Sequence, residues 1–202
     1  MAAKTSEVIK VKGARLSYPK LFKPEAYQEG QEKKFQATFL LDPSDADHAV
    51  QIKEIKKTAA ALMREAYGAD FAPAGLKGIC FGDGNKKVKE DGTVSEGYKD
   101  MFYISVTNTV RPAVANRKGE PVAEGDPQCP YGGCYVNGTL TLWAQNNKYG
   151  KRINGNLRGV QFVKDGEAFG AGPVSVEDEF EALEDNSPAD AGSVDDDFDI
   201  NF

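Results

Sequence analysis

Alternating apolar and polar positions predict two β-strands in the first forty residues. In EVIKVKGARLSY, residues 7–18, Ile9 and Val11 alternate with lysines, and KKFQATFLL, residues 33–41, shows the same alternation. Successive side chains of a strand point to opposite faces, so this pattern is typical of a strand that buries one face. The segment between the two stretches carries Pro, Gly and charge, which predicts a loop or an irregular hairpin connection.

One long helix is predicted after the second strand. Ser44 is the expected N-cap, because acidic residues follow it in the first turn. Apolar residues then recur at helical spacing as far as Gly68, where the helix is expected to end: Val50, Ile52, Ile55, Ala59, Leu62, Met63 and Ala66. The single histidine, His48, falls in the first turn and is predicted to be a surface residue rather than a catalytic base.

The second half of the chain predicts further strands separated by long loops. The β-branched and aromatic stretches are YKDMFYISVTNTV, CYVNGTLTLWAQ and NLRGVQFVKDG, at residues 98–110, 134–145 and 156–166. The glycine-rich segment that begins at Ala69 predicts a turn or a flexible hairpin. Five or six strands with one substantial α-helix indicate a mainly β fold, and the favoured architecture is an OB-fold-like antiparallel barrel.

Charge divides the chain into a basic body and an acidic tail. The 202 residues carry 25 Lys and Arg against 31 Asp and Glu, but eleven of the acidic residues lie from Glu177 onward, where there is no Lys or Arg. Residues 1–176 therefore carry a net charge of +5, which suits an anionic partner. We predict a folded domain over residues 1–172 and a disordered acidic tail over residues 173–202, since the tail has too few apolar residues to fold alone.

Neither a secretory signal nor a membrane-spanning segment is predicted, because no apolar run is long enough. A membrane is therefore not expected among the partners. The three cysteines, Cys80, Cys129 and Cys134, are an odd number at irregular positions. They are predicted to be free thiols, which fits a reducing compartment such as the cytoplasm.

Motifs for catalysis, metal or cofactor binding find little support. Cys129 and Cys134 form one close pair of possible zinc ligands, but the sequence lacks the second close pair that a structural zinc site needs. Neither GxxxxGK[ST] nor GxGxxG is present, and no group of carboxylates is singled out as a metal site. The sequence therefore predicts a protein that is not an enzyme and that needs no cofactor or metal.

Two stretches interleave aromatic side chains with cations. The first, residues 15–23, contains Arg15, Tyr18, Lys20 and Phe22, and the second, residues 143–152, contains Trp143, Tyr149, Lys151 and Arg152. Aromatic rings stack on exposed bases for about 1–3 kcal/mol each, while cations displace counterions from phosphates. The pattern predicts a surface for single-stranded nucleic acid, although Trp143 and Phe22 could instead fill the core.

The last residues of the tail keep apolar side chains among carboxylates. This predicted partner-binding segment consists of Asp195, Asp196, Asp197, Phe198, Asp199, Ile200 and Phe202. A purely solubilising tail has no use for the two phenylalanines and the isoleucine. Apolar residues beside carboxylates suit a small apolar pocket rimmed by Arg and Lys on another protein.

Several motifs, taken in order, resemble those of tailed-bacteriophage single-stranded DNA-binding proteins. They are RLSYPKLFKP, RPAV, YGGCYVNGTLTLWAQNN, GKR and NLRGVQFVKDGE, which together cover most of residues 8–170. The resemblance implies an OB-fold domain that coats single strands during phage replication or recombination in the bacterial host cytoplasm. Arg111 and Arg158, which lie within two of these motifs, complete the candidate DNA-binding residues. The tail tip is similar to those that dock on replication proteins, except that Asn201 replaces a proline.

The sequence thus predicts a sequence-tolerant single-stranded DNA-binding protein whose tail recruits replication or recombination proteins. Two alternatives stay open. A carboxylate-metal nuclease would cleave the nucleic acid that it binds, whereas an acidic adaptor or DNA mimic would bind a host protein instead of DNA. The oligomeric state is not determined by the sequence.

Overall fold

Five long strands and one long helix dominate the fold. A computed structural model of the chain describes residues 3–170. The elements in chain order are β1 (Ile9–Glu25), β2 (Lys34–Leu41), α1 (Ala46–Tyr67), β3 (Gly78–Ile79), β4 (Phe81–Asp83), β5 (Phe102–Asn108), β6 (Ala113–Ala115), β7 (Tyr135–Asn147) and β8 (Gly150–Lys164). The prediction of a mainly β fold with one substantial helix is confirmed.

The five long strands form a ring. Antiparallel pairing joins β8 to β7, β7 to β1, β1 to β2 and β2 to β5. A single parallel pair, Thr107 of β5 with Asn156 of β8, closes the circle. The ring is therefore OB-like in being partly open, and it is not a continuously hydrogen-bonded barrel. Of the short strands, β6 pairs with β8, while the consecutive strands β3 and β4 pair with β8 and β5 respectively and so also bridge this junction.

The hydrophobic core fills the interior of the ring. Alternate residues of each strand point inward, and the inward residues include Leu16, Phe39, Ile104, Leu142, Ile153 and Leu157, all fully buried. Gly138 of β7 faces the Phe39 ring so closely that a Cβ there would lie 2.3 Å from Phe39 Cζ. The absence of a side chain at this position makes room for the phenylalanine.

Helix α1 closes one side of the ring by burying Ile52, Ile55, Ala59, Leu62 and Met63. It begins one residue later than expected, because its N-cap is Asp45, whose carboxylate accepts from the His48 N–H at 2.9 Å. The Ser44 hydroxyl instead donates to Asp42. The helix ends before Gly68, as predicted. Among residues 3–170 we find no helix with the length and apolar character needed to span a bilayer.

His48 is partly buried and makes a structural contact at the start of α1. Its side chain is only 16% exposed. The Nδ1 atom accepts a hydrogen bond from the Asp42 N–H at 3.1 Å, which joins the start of α1 to the end of β2. This contact is local packing between α1 and β2.

Strand β1 continues through residues that were expected to form a loop. Two register shifts, between Ser17 and Lys20 and between Lys20 and Glu25, interrupt its pairing with β2. Pro19 and Pro24 lie at these irregularities, where the absence of a backbone N–H removes no regular hydrogen bond between the strands. Pairing across the sheet therefore overrides the loop-like composition.

The three cysteines are free within the described chain, as predicted. Burial raises the pKa of Cys80 to about 12 and that of Cys134 to about 11. Burial also raises the pKa of Cys129. All three thiols therefore stay protonated at neutral pH, and none of them is an activated nucleophile.

Candidate nucleic-acid interface

A polar groove lies on the outside of the ring, over the junction between β5 and β8. Its lining consists mainly of amide and hydroxyl side chains, with one lysine and one indole: Lys34, Thr107, Asn108, Thr109, Trp143, Gln145, Asn154 and Asn156. Thr107 and Asn156 are the two residues that close the ring. The groove therefore sits where the sheet is least continuous.

Strand alternation places Trp143 in this groove. Leu142 and Ala144 are buried on the inner face of β7, so Trp143 and Gln145 point outward. Trp143 is half-buried, and its strand partner is Asn154 of β8. The Asn154 amide donates to Gln145 Oε1 at 3.3 Å, which orders the groove wall. Trp143 thus lies outside the core with part of its ring accessible.

Two loops that carry exposed tyrosines begin at the rim of the groove. Lys34, which lines the groove, directly follows the β1–β2 connection, where Tyr27 is 88% exposed. Gln145 stands two residues before the β7–β8 turn, where Tyr149 is 67% exposed. The Lys148 Nζ atom lies 5.0 Å from the centre of the Tyr149 ring. Both loops present an aromatic face to solvent.

Lys20, Phe22 and Arg111 lie near the base of the β1–β2 connection. Lys20 forms an ion pair with Glu25 and stands opposite Gln36. Phe22 is half-buried against the core, so it serves as a platform rather than as an exposed stacking ring. The exposed Arg111 guanidinium lies 5.4 Å above it.

Three predicted cations of β8 have different surroundings. Lys151 and Arg152 are adjacent, so they point to opposite faces. The Lys151 ammonium lies 4.5 Å from the centre of the Phe71 ring and 5.3 Å from that of Tyr67, at the end of α1. Arg152 is exposed on the face that Asn154 shares. Arg158 is also exposed, at an irregularity in the pairing of β7 with β8.

Arg15 has an intramolecular role. Its Nε atom donates to the Gly133 carbonyl at 3.1 Å, and its Nη2 atom donates to the Glu167 carbonyl at 2.5 Å. The guanidinium also lies 4.5 Å from the centre of the Phe169 ring. These contacts hold the end of the described chain against β1, and they use two of the five N–H donors of the guanidinium. Tyr18, three residues later, is 57% exposed.

Sequence reasoning missed Tyr27 in the loop beside the groove and an amide cluster within the groove. Tyr27 lies in a polar loop, and an aromatic residue in such a loop is a signal that could have identified it. The amide cluster of Asn108, Gln145, Asn154 and Asn156 gave no comparable signal, because these residues lie on different strands. Within residues 3–170, no three His, Cys, Asp or Glu side chains come together as metal ligands would.

The predicted partner-binding residues, Asp195 to Phe202, lie outside the described residues, as does the predicted domain boundary at 172/173.

A comparison with protein families finds one match that spans most of the chain. The family model of the single-stranded DNA-binding protein of Enterobacter phage Enc34 matches residues 6–192. Protein p50 of Acyrthosiphon pisum secondary endosymbiont phage 1 is 36% identical over 177 residues, which cover 87% of this chain and 93% of p50.

Solved structures show the same similarity. The single-stranded DNA-binding protein of bacteriophage Enc34 in complex with single-stranded DNA is 34% identical, with a TM-score of 0.67 over 81% of this chain and 89% of that one. A second structure of the Enc34 protein is 31% identical, with a TM-score of 0.66 over 86% of this chain and 90% of that one.

Proposed function

The chain belongs to the family of the single-stranded DNA-binding protein of Enterobacter phage Enc34, and from that premise we propose that it binds single-stranded DNA with little sequence preference. It does so as a binder and not as an enzyme. Its role is to coat exposed strands during phage DNA replication or recombination, which takes place in the cytoplasm of the bacterial host.

The observation that carries this proposal is the outward Trp143 ring in a groove of amide and hydroxyl groups. A base can stack on the accessible part of the indole, and every base has such a face. Amide side chains both donate and accept hydrogen bonds, so the edges of different bases find partners among them. Such a surface favours unpaired bases without selecting among them.

Cations around the groove supply the contacts to phosphates. Lys34 lines the groove, although Glu32 lies 3.5 Å from its ammonium. Lys148 and Arg152 are exposed near the β7–β8 turn, and Arg111 is exposed near the opposite rim. Neutralising phosphates with such side chains releases counterions, so the affinity falls as salt rises. The β1–β2 and β7–β8 loops, which join the first and second and the fourth and fifth long strands, hold the positions of the loops that OB-folds generally use for oligonucleotides.

Binding of oligothymidine is expected to quench the fluorescence of Trp143, the only tryptophan of the chain. The quenching should follow from stacking, and the affinity should fall between low and high salt. The measurement is a fluorescence titration with oligothymidine and with duplex DNA of the same length, at two salt concentrations.

A purified protein that leaves oligothymidine unbound in dilute buffer, with residues 177–202 removed, would contradict the proposed function. Incubation of labelled oligothymidine with Mg²⁺ is the matched test for catalysis. The oligonucleotide is expected to remain intact.

Part of the proposed function concerns the acidic tail, which we assign to the recruitment of replication or recombination proteins. Its eleven acidic residues stand against a body with a balance of +5. At low salt the tail competes with DNA phosphates for the same cations. Removing residues 177–202 is therefore expected to tighten oligothymidine binding at low salt and to have a smaller effect at high salt.

Equal affinity of the full and shortened chains at low salt would refute this competition. A chain in which the eleven acidic residues are replaced by their amides is the matched control, because it keeps the length of the tail.

A further inference from the structure

Three tyrosines form a row on the outer face of the ring, away from the polar groove. The Tyr18 ring of β1 lies 6.3 Å from that of Tyr98, which in turn lies 6.2 Å from that of Tyr103 in β5. Tyr98 is 97% buried and packs against the outward side chains of Ser17 and Thr38. Burial raises its pKa, although hydrogen bonds with these two residues act in the opposite direction. Tyr98 is thus a fixed support between two more accessible rings.

Tyr18 is held in a strained backbone conformation. Its φ is +46°, in the left-handed region that a bulky residue rarely adopts. It lies at the first register shift of β1, and 57% of its surface is exposed. Glycine would adopt this conformation without strain, so a tyrosine with more than half of its surface exposed stands here at a cost in backbone energy. Strain of this kind is concentrated at functional sites.

A hairpin of residues 87–95, which we call the lysine hairpin, stands beside the tyrosines. Its two arms are joined by hydrogen bonds between Lys89 and Thr93 and between Ser95 and Lys87. The Lys87 ammonium lies 4.6 Å from the centre of the Tyr103 ring, and Lys89 lines a pocket with Tyr18. Residues two apart in an extended arm share a face, so both lysines face the tyrosines.

The pocket beside Tyr18 has a volume of about 400 Å³. Tyr18, Pro19, Lys89 and the Phe169 segment line it. One carboxylate, Glu96, shares the pocket, but it accepts a hydrogen bond from the Gly170 N–H at 2.8 Å. A flat ring can therefore enter between apolar walls with a cation at its edge.

A continuous outer face connects this pocket with the Trp143 groove. Tyr103, Ser105 and Thr107 alternate outward along β5, and Thr107 lines the groove. The Ser105 hydroxyl lies 2.9 Å from that of Thr38 on the neighbouring strand. This face runs for about 14 Å from Tyr103 to Thr107, at the ordinary rise of a strand, and the residue between them, Ser105, has a small side chain. An extended strand of nucleic acid can lie flat across it.

We infer that Tyr18, with the support of Tyr98 and Tyr103 and the cations of the lysine hairpin, forms a second base-stacking subsite that a single strand reaches after leaving the Trp143 groove. This inference rests on the proposed function. Short oligonucleotides fill the groove alone, whereas longer ones also reach Tyr18. The subsite therefore determines how much the affinity for single-stranded DNA rises as the oligonucleotide becomes longer.

The test compares oligothymidines of about four and about sixteen nucleotides, the range covered by single OB-folds. Tyr18→Ala is expected to weaken binding of the long oligonucleotide about tenfold, as the loss of one stacked base would, and to change binding of the short one less than about twofold. Tyr18→Phe should bind as wild type does. Lys87→Ala should weaken only long-oligonucleotide binding, and Lys53→Ala, on the exposed face of α1, is its control.

Tyr18→Gly separates binding from folding, because it removes the ring and relieves the strain. It is expected to melt no lower than wild type and to bind the long oligonucleotide as weakly as Tyr18→Ala. Unchanged long-oligonucleotide affinity in Tyr18→Ala, or an equal loss for both lengths, would overturn the second subsite and leave the proposed function standing. Failure of the wild type to bind either length would overturn the proposed function itself.

Discussion

Trp143→Ala is expected to weaken oligothymidine binding about tenfold to a hundredfold. One stacked base contributes about 1–3 kcal/mol, and each 1.4 kcal/mol corresponds to a factor of ten in Kd. Among residues 3–170, Trp143 is the only aromatic side chain in the lining of the groove, so no neighbouring ring of this part of the chain replaces it there. The measurement is fluorescence anisotropy of a labelled oligothymidine, since the variant has lost its intrinsic reporter.

Two further substitutions at this position separate stacking from volume. Trp143→Phe keeps a flat ring and is expected to lose only part of the affinity. Trp143→Leu keeps apolar bulk without a π-face, and it should bind nearly as weakly as Trp143→Ala. Thermal melting of all three variants shows whether the half-buried indole also contributes to the fold. A folded Trp143→Leu protein with wild-type affinity would contradict the stacking role.

Gly138→Val is expected to be the most destabilising single change considered. A Cβ at this position would lie 2.3 Å from the Phe39 ring, which is fully buried in the ring of strands. Neither the β7 backbone nor the phenylalanine can move without disturbing the core. Overpacking of this kind costs about 3 kcal/mol, which lowers Tm by roughly 6–12 °C in a protein of this size. Differential scanning calorimetry measures both quantities.

A second substitution tests whether Gly138→Val destabilises the protein through its contact with the Phe39 ring. Phe39→Leu in the Gly138→Val background should recover part of the lost stability, because the smaller side chain makes room for the valine. Gly132→Ala is the matched control, since a Cβ there would meet Pro19 Cδ at an ordinary 3.7 Å. It should change the free energy of unfolding by less than about 0.5 kcal/mol. Equal stability of Gly138→Val and wild type would contradict the packing described for Phe39.

The elements with the clearest periodicity could be predicted from sequence, and the connections between them could not. The helix and β2 follow their hydrophobic patterns closely. The extension of β1 and the early start of β8 depend on partners that are distant in sequence, and those partners override the local Pro, Gly and Lys. The ring closes through Thr107 and Asn156, 49 residues apart, and no local pattern specifies that pairing.

The candidate site shows the same division. Interleaved aromatic and cationic residues drew attention to Trp143, which the structure places outside the core, and to Tyr149, which it leaves exposed. Spacing alone could not show that Lys151 and Arg152 lie on opposite faces of β8. It also could not show that Arg15 donates to two backbone carbonyls. That these residues contact DNA remains a prediction.

The open junction of the ring has a consequence for the mechanical behaviour of the protein. The Trp143 groove lies over the junction where β5 and β8 pair directly through one residue pair, beside the β3–β4 segment that also connects these two strands. A polymer that crosses this junction and contacts both β5 and β8 adds links between the two strands to those that the backbone provides. A nucleic acid bound in the groove then stabilises the folded ring, and the junction between β5 and β8 becomes harder to separate.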